Sequence, residues 1–419
     1  RFDTTNTGDE RSKGERDAAE YVIGLLEDAG YEPIYHESLP RRGSVVARIE
    51  GADPTRPALV LHGHLDVVPA DAAEWQADPF GAEVRDGTIW GRGAVDMKDM
   101  DGMILAVARA WRRRGVKPPR DVVLCMFADE EAGGVWGAEW LVDHHPELFE
   151  GATEAISEVG GFSVDVAGRR AYLLQTAEKG IAWLRLVARG TGGHGSAVNS
   201  DNAVEHLVGA LRRIADHPWP VSLTPTVRAL LEGVADLTGV ATDLDDPAAV
   251  SALIDSLGPA RRFVGAATST RANLTSLAAG DKVNVIPPRA CATVDMRPLP
   301  GQADDAVATV RALAGPHVTV EPIYRSVALE APFSGPLVDA MRSALLEADP
   351  TAAVLPYMLA GGTDGKSLDR LGIVSYGFSP LKLPSEFDFT AMFHGVDERV
   401  PVESVKWGVG VLDSFLAGC

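Results

Sequence analysis

One histidine and two aspartates near the start of the chain stand where they could take part in metal binding. LVLHGHLDVVP places His64 shortly after the apolar run Leu59–Leu61, with Asp66 two residues later. An imidazole in this position could bind zinc while a neighbouring carboxylate orients its ring. IWGRGAVDMKDM places Asp96 after a glycine-rich turn, where each carboxylate oxygen could face a different cation. Taken alone, the first segment is more typical of a surface turn, and the second also fits a turn with a helix N-cap, a role that Asp99 would serve better.

Further acids and a second histidine follow in three more segments. VVLCMFADEEAGG ends a buried run with Glu130 and Glu131, AISEVGG places Glu158 after an apolar stretch, and MFHGVDERVP contains His394. Side chains alternate along an extended backbone, so adjacent acids point in different directions and can do different jobs. One could bind a metal while the other takes a proton from water. Two histidines with carboxylates and no cysteine suit a hydrolytic zinc pair.

The elements around these residues predict an α/β fold. Apolar strands are expected at Ala58–Leu61, Asp121–Phe127 and Ala155–Ser157, with helices at Met103–Trp111 and Gly134–His144 between them. Strands that alternate with helices indicate a sheet covered by helices on both faces. We expect each of the five segments to end a strand, which would bring all the candidate ligands to one edge of the sheet.

The pattern changes in the middle of the chain. Residues 178–327 show the order β-α-β-β-α-β, which is typical of a ferredoxin-like α+β domain, and Pro220–Ala267 looks like an elaboration within it. The first pattern then resumes. The sequence therefore predicts a discontinuous main domain, 1–177 and 328–419, and an inserted domain, 178–327.

Composition limits the classes of function. The 419 residues carry a formal net charge of −20, which argues against a nucleic-acid partner. No apolar stretch is long enough to span a membrane, and no signal-peptide pattern is visible. The chain has only three cysteines, a small and odd number that argues against a disulfide scaffold. We expect a cytoplasmic enzyme.

Four of these segments, HGHLDVVP, WGRGAVDMK, DEEAGG and HGVDE, carry a specific resemblance. In this order they resemble the dinuclear-zinc metallopeptidase family of carboxypeptidase G, aminoacylase, succinyl-diaminopimelate desuccinylase and bacterial dipeptidases. The similarity extends over nearly the whole chain. It implies a mixed-sheet catalytic domain, an inserted lid and dimerisation domain, a homodimer, and two Zn²⁺ ions per subunit, with Co²⁺ or Mn²⁺ as possible replacements.

The resemblance also implies a role for each candidate residue. His64 and Glu158 would bind one zinc ion, Glu131 and His394 the other, with Asp96 bridging them, Asp66 orienting His64, and Glu130 acting as general base. Relatives in the family have a cis peptide bond after the bridging aspartate, which here is the Asp96–Met97 bond.

Further residues would contact the substrate. His194, in TGGHGS, would hydrogen-bond the tetrahedral oxyanion from the other subunit. Asn284 and Arg297, in NVIPPRACATVDMRP, would hold a substrate carboxylate. Gly362 and Thr363 belong to GGTDG, which matches a loop that closes over the substrate, although many relatives have GGTSD there.

The expected activity is hydrolysis of the amide bond of a dipeptide or an N-acyl amino acid with a free α-carboxylate. Two alternatives use the same fold. An aminopeptidase would anchor the substrate by its free amine, and a catalytically silent metal-binding dimer would lack a ligand or the general base. The five ligand positions and the general-base position all hold suitable residues here, which disfavours the catalytically silent protein.

Overall fold

The computed structural model describes residues 1–257 and 261–419; residues 258–260, inside the predicted elaboration Pro220–Ala267, lie outside the described part. The helices are α1 (Arg16–Asp28), α2 (Lys98–Arg114), α3 (Ala138–His144), α4 (Ala203–Ala215), α5 (Pro225–Thr238), α6 (Pro247–Asp255), α7 (Arg261–Ala266), α8 (Ala303–Ala314), α9 (Pro336–Ala348), α10 (Gly365–Asp369) and α11 (Val402–Gly418). The strands are β1 (Ile34–Leu39), β2 (Arg42–Ile49), β3 (Ala58–His64), β4 (Glu83–Arg85), β5 (Thr88–Trp90), β6 (Val122–Phe127), β7 (Ala152–Ser157), β8 (Phe162–Val166), β9 (Arg169–Glu178), β10 (Ile181–Arg189), β11 (Gly193–His194), β12 (Arg271–Ala279), β13 (Val285–Ile286), β14 (Arg289–Arg297), β15 (Val318–Ser326), β16 (Leu329–Glu330), β17 (Ala353–Leu359), β18 (Val374–Gly377) and β19 (Arg399–Pro401).

The chain divides into two compact units. The first contains Arg1–Thr176, Ala331–Tyr357 and Thr363–Cys419, and the second contains Ala177–Glu330 and Met358–Gly362. The sequence placed the boundaries at 177/178 and 327/328. The structure differs by a few residues there, and it groups Met358–Gly362 with the second unit.

A mixed sheet forms the centre of the first unit. Its strands lie in the order β1-β2-β6-β3-β7-β18-β9, and β8 and β17 also pair with β9. Strands β6, β3, β7 and β18 run parallel to one another. Strands β1 and β2 add antiparallel pairing at one side. The parallel centre follows from the βα alternation of the sequence, and the predicted mixed α/β class is confirmed.

Helices cover both faces of this sheet. On one face, α3 and α10 pack on a buried cluster that includes Val60, Val123, Cys125 and Phe127. The alternate residues of the same strands, such as Leu124, are equally buried and point to the opposite face, where α1 and α2 contact β2 and β3. Because both faces are covered, β3 and β6 are almost wholly apolar until they approach their carboxyl ends.

The second unit has the predicted ferredoxin-like arrangement. Its antiparallel sheet has the strand order β12-β14-β10-β15, and α4 and α8 pack against it. The core contains the inward side chains of β10 and β14 together with Leu207 and Ile214 of α4 and Val310 of α8. Helices α5 to α7 are inserted between α4 and β12, where the sequence predicted an elaboration. In the described part of the chain, no helix is both long enough and apolar enough to cross a membrane.

Candidate metal centre

Three neighbouring parallel strands bring acids and a histidine to one edge of the sheet. His64 is the last residue of β3, Glu130 and Glu131 follow β6, and Glu158 follows β7. The carboxyl ends of parallel strands lie side by side, so the chain positions these side chains through its strand order alone. The backbone at two of these turns is strained, because Asp129 has φ 68° and Val159 has φ 58°.

The remaining two candidate ligands do not end strands of this sheet, so the expectation that all five segments would do so is wrong for them. Asp96 lies in the turn that leads into α2, and His394 lies in a turn that precedes β19. His394 itself has φ 57°, and the Asp96–Met97 peptide bond is cis, as the resemblance implied.

The five candidate ligands form two groups that share Asp96. In the first group, His64 Nε2 lies 3.0 Å from Asp96 Oδ1 and 3.7 Å from Glu158 Oε2. In the second, His394 Nε2 lies 3.2 Å from Asp96 Oδ2 and 3.1 Å from Glu131 Oε2. Within each group, one ligand atom from each residue lies within 4.8 Å of the others. The two oxygens of Asp96 thus face different groups, as a bridging carboxylate requires.

The charges in this cluster fit cations. Hydrogen bonds to Asp96 and Glu131 raise the pKa of His394 to about 10. Burial lowers the pKa of His64, but the Glu158 carboxylate and its other acidic neighbours raise it well above its ordinary value. Burial and the nearby Asp96 carboxylate raise the pKa of Glu158 to about 8. A divalent metal would compete with protons for these atoms, because histidines must be neutral and acids ionised to act as ligands.

One unpaired atom supports the same interpretation. Glu131 Oε1 is buried and has no hydrogen-bond partner in the part of the chain that the structure describes. Its other oxygen, Oε2, faces His394. An orphaned carboxylate oxygen is costly unless a cation compensates it. The donor set, two imidazoles and three carboxylates without a thiolate, suits zinc and similar divalent metals.

Glu130 lies close to the candidate ligands without belonging to either group. Its Oε2 lies 3.9 Å from His64 Nε2, beside the first group of ligands but outside both. Burial raises the pKa of Glu130 well above its ordinary value, and the positive charge of His64 opposes this shift. The buried carboxyl of Asp364 lies in the same neighbourhood; burial raises its pKa too, and it contributes to the rise for Glu130. A Cβ on Gly134 would stand 2.7 Å from Asp364 Oδ1, so the second glycine after DEEA leaves room for this carboxyl.

Asp66 holds the first group in place. Its backbone carbonyl lies 3.1 Å from His64 Nδ1, and its carboxylate oxygen Oδ1 lies 3.6 Å from the same atom. The carboxylate also accepts hydrogen bonds from the backbone N–H groups of Glu130 and Glu131, each at 3.1 Å. Asn6 Nδ2 donates to Asp66 Oδ2 at 2.8 Å. The Asp66 backbone carbonyl thus contacts the imidazole, and its carboxylate hydrogen-bonds the turn that carries both glutamates.

A buried ion pair, Arg92–Glu398, joins the two loops that carry Asp96 and His394. Glu398 Oε1 accepts from the backbone N–H groups of Val95 at 2.7 Å and Asp96 at 3.1 Å. Glu398 Oε2 accepts from Arg92 Nη1 at 2.6 Å and from a further backbone N–H. Arg92 Nη2 donates to the His394 carbonyl at 3.3 Å. The side chain of Glu398 is 0% exposed and that of Arg92 is 4% exposed, so a buried ion pair links the loops of two candidate ligands, Asp96 and His394.

The predicted substrate residues of the second unit fall into two places. His194 and Asn284 are neighbours, because β11 pairs with β13 and the Gly195 N–H donates to the Asn284 carbonyl at 2.9 Å. Both side chains are exposed. Arg297 lies on β14, where its Nε donates to Asp295 Oδ1 at 2.8 Å, and the same oxygen accepts from Trp183 Nε1 at 3.1 Å.

The GGTDG residues divide between the units. Gly362 belongs to the second unit, whereas Thr363 belongs to the first. Thr363 is buried, and its hydroxyl accepts from the Gly365 N–H at 3.1 Å, which starts α10. This local bond gives Thr363 a structural task in addition to any contact with substrate.

Sequence reasoning missed Asn6, Arg92 and Glu398. Asn6 stands in an N-terminal segment without helical or strand periodicity, and its amide is buried between Asp66 and Asp129. Arg92 stands within the quoted GRG turn and Glu398 within the quoted HGVDE segment. The sequence did show a charged residue, Arg92 or Glu398, inside each of two segments that contain a candidate ligand. Residue types alone do not indicate that two positions so far apart in the chain form a pair.

Comparison with known proteins identifies the family. A model described as peptidase family M20/M25/M40 matches residues 60–418. The chain belongs to this family. The M20 assignment covers every candidate ligand as well as the second unit, so the resemblance drawn from the sequence segments is confirmed.

Similar proteins include hydrolases of more than one class. The chain is 27% identical to the N-fatty-acyl-amino acid synthase/hydrolase PM20D1 of Mus musculus, covering 92% of this chain and 80% of that protein. It is 27% identical to aminoacylase-1 of Sus scrofa, covering 91% of this chain and 84% of that protein. The structure of the M20 metallo-carboxypeptidase Sso-CP2 from Sulfolobus solfataricus superposes with a TM-score of 0.73, at 19% identity over 97% of this chain and 95% of that chain. The chain is an M20 metallopeptidase or amidohydrolase, and the last likeness supports the fold alone.

Proposed function

We propose that this M20 enzyme hydrolyses the amide bond of dipeptides or N-acyl amino acids that keep a free α-carboxylate, with two divalent metal ions at the candidate centre. The observation that carries the proposal is the shared Asp96, whose two oxygens face His64 and His394 at 3.0 and 3.2 Å. His64 and Glu158 would hold one ion, and Glu131 and His394 the other, with Asp96 bridging. Zinc is the metal that this donor set favours, and Co²⁺ or Mn²⁺ suits it as well.

The metal pair would supply Lewis acidity and lower the pKa of a bound water towards neutrality. The protein would do the rest. Glu130, beside the ligands, accepts the proton of the attacking water and returns it to the leaving amine, a role worth typically about 10²–10⁴-fold in rate. Asp66 holds the His64 imidazole and the turn that carries Glu130 in fixed positions relative to each other. His194, from a partner subunit, donates a hydrogen bond to the tetrahedral oxyanion.

The free α-carboxylate is the proposed anchor of the substrate. Arg297 and Asn284 would hold it, whereas Gly362 and Thr363 would belong to a loop that closes over the substrate. Arg297 Nε and Nη2 are held by Asp295 at 2.8 and 3.1 Å, which fixes the plane of its guanidinium in advance. A guanidinium with a fixed plane suits bidentate binding of a carboxylate.

A substrate panel tests this anchor. The metal-loaded enzyme is assayed on a dipeptide, its N-acylated form and its C-amidated form, each with and without a chelator. Hydrolysis of the first two, lost on amidation and on chelation, is the expected result. Activity that survives amidation but is lost on N-acylation would show the alternative, aminopeptidase-type anchoring on the amine. No hydrolysis in any arm would favour the silent metal-binding protein.

We propose a homodimer that forms through the second unit. Strand β12 is an edge strand of that unit's sheet, and its apolar Leu274 and Leu277 are 41% and 60% exposed. An exposed apolar edge strand is a ready site for pairing with another copy. Three free cysteines and the acidic composition suit the proposed cytoplasmic location.

Mixing two inactive variants tests the dimer and the origin of His194 together. Glu130→Gln and His194→Ala are purified separately and then exchanged at equal concentration. If His194 acts in the partner's site, each mixed dimer has one intact site, and symmetry predicts about one quarter of wild-type activity. If His194 acts within its own subunit, the mixture stays inactive.

A further inference from the structure

The second unit contains a compact group of metal-ligand side chains that has no part in the proposed chemistry. Asp201 precedes α4, His206 lies in the first turns of α4, and His317 lies directly before β15. His206 Nε2 is 3.1 Å from Asp201 Oδ1. One ligand atom from each of the three residues lies within 4.8 Å of the others. Two imidazoles and one carboxylate are ligands that zinc and its neighbours among the transition metals accept.

The surroundings leave room for an ion and orient the carboxylate. Asp201 Oδ2 accepts from the Thr191 hydroxyl at 2.8 Å, so Oδ1 remains directed at His206. Outer hydrogen bonds of this kind fix the direction of metal ligands. A cavity of about 390 Å³ adjoins the group, lined by both histidines and by Glu205, whose carboxylate is a further oxygen donor.

The two rings face each other before any ion binds. The His206 and His317 centroids are 4.2 Å apart, and the ring planes differ by 7°. Ring nitrogens direct their lone pairs within the ring plane, so one ion can use both rings only after one of them turns. His317 is exposed beside the cavity, which permits that rotation.

A positively charged side chain beside the cavity already has hydrogen-bond partners. Arg213 lines the same cavity, but its Nε donates to the Leu313 carbonyl at 2.7 Å and its Nη2 donates to the Ala314 carbonyl at 3.0 Å. Its positive charge opposes a bound cation to some degree. The carboxylates of Asp201 and Glu205 outnumber it.

We propose that Asp201, His206 and His317 form a binding site for a divalent transition-metal ion of the zinc type, separate from the centre at Asp96. Its place in the fold gives the ion a structural consequence. The Thr191 N–H donates to the Asp201 carbonyl at 2.8 Å, so these residues close the loop that carries His194. A bound ion ties the base of this loop to β15 and reduces its opening. The value of that loop to catalysis rests on the proposed function, whereas the binding of the ion does not.

Zinc titration of the metal-loaded enzyme tests the site. The enzyme is first saturated at the Asp96 centre and dialysed, and further Zn²⁺ uptake is then measured by calorimetry. The variants are His317→Ala and Asp201→Asn, and the matched control is His217→Ala, a histidine of the same unit outside the group. Wild type and control are expected to take up one further ion per chain, and both variants to bind it at least about tenfold more weakly.

Hydrogen exchange gives the second readout. Amides of residues 191–201 are expected to exchange more slowly when zinc is added to wild type, and to be unaffected by zinc in His317→Ala. Absence of a further ion in wild type, or equal uptake in both variants, would overturn the proposed site. Both measurements are independent of activity, so they hold even if the substrate proposed above is wrong.

Discussion

Replacing Glu398 by glutamine is expected to loosen the metal centre without touching a ligand. The carboxylate accepts four hydrogen bonds, two at each oxygen, and a glutamine side chain can accept at one side only. Its NH₂ group then faces two buried donors. Each buried donor left unpaired costs about 1–3 kcal/mol, so the free energy of unfolding should fall by about 2–6 kcal/mol.

The effect should reach the metal as well. The new NH₂ group can take the place of either carboxylate oxygen, and each orientation disturbs a contact to a candidate ligand. At the Oε1 position it faces the Asp96 N–H. At the Oε2 position it faces Arg92, which donates to the His394 carbonyl. Loss of such an outer contact typically weakens metal binding about 10–100-fold. Competition with a coloured chelator measures the affinity, and urea unfolding of the metal-free protein measures stability separately.

Glu403→Gln is the matched control. Glu403 lies in the first turn of α11, its side chain is 85% exposed, and it pairs only with the exposed Lys406 among the ion pairs described. This substitution should change the free energy of unfolding by no more than about 0.5 kcal/mol. Metal affinity in Glu398→Gln equal to that of the wild type and the control would refute the idea that the buried pair positions the ligands.

Three further outcomes follow from the site. Glu130→Gln should lose about 10²–10⁴-fold in kcat while its metal content, measured by atomic emission, stays at the wild-type value; loss of metal would instead make Glu130 a ligand. His194→Ala should lose about 10²–10³-fold in kcat with the metal content unchanged, whereas His217→Ala should keep full activity; unchanged turnover in the first variant would remove His194 from the mechanism. In the metal-free protein at pH 7, His394, with a pKa of about 10, and Glu158, with a pKa of about 8, both carry protons. Metal uptake should therefore release protons, and the apparent metal affinity should rise with pH, most steeply below about pH 8, where both His394 and Glu158 are protonated. Calorimetry in buffers of different ionisation enthalpy measures the number of protons released. Zero release at pH 7 would contradict the assignment.

Local sequence patterns predicted the part of the site that strands build. Apolar runs that end in His64, in Glu130 and Glu131, and in Glu158 are the central strands, and parallel pairing brings their ends together. This prediction is possible because a strand buried on both faces shows itself as a continuous run of apolar residues. The grouping of these residues into one cluster therefore needed no knowledge of loops.

Loop conformation and distant pairing lay beyond that reasoning. Asp96 and His394 reach the cluster from turns, and their places follow from the family resemblance rather than from periodicity. Helix α3 starts at Ala138 and not at the predicted Gly134, because Gly134 has φ 71°, which a right-handed helix does not accept. The buried pair Arg92–Glu398 joins residues separated by most of the chain, and no local pattern encodes such a contact.

Anomalous X-ray diffraction at the zinc absorption edge, from crystals of the metal-loaded enzyme, tests the central claim most directly. We predict two strong peaks, one on each side of the Asp96 carboxylate, the first against His64 and Glu158 and the second against Glu131 and His394. A single peak in a fully active enzyme, or peaks that leave Asp96 uncoordinated, would contradict the bridged metal pair.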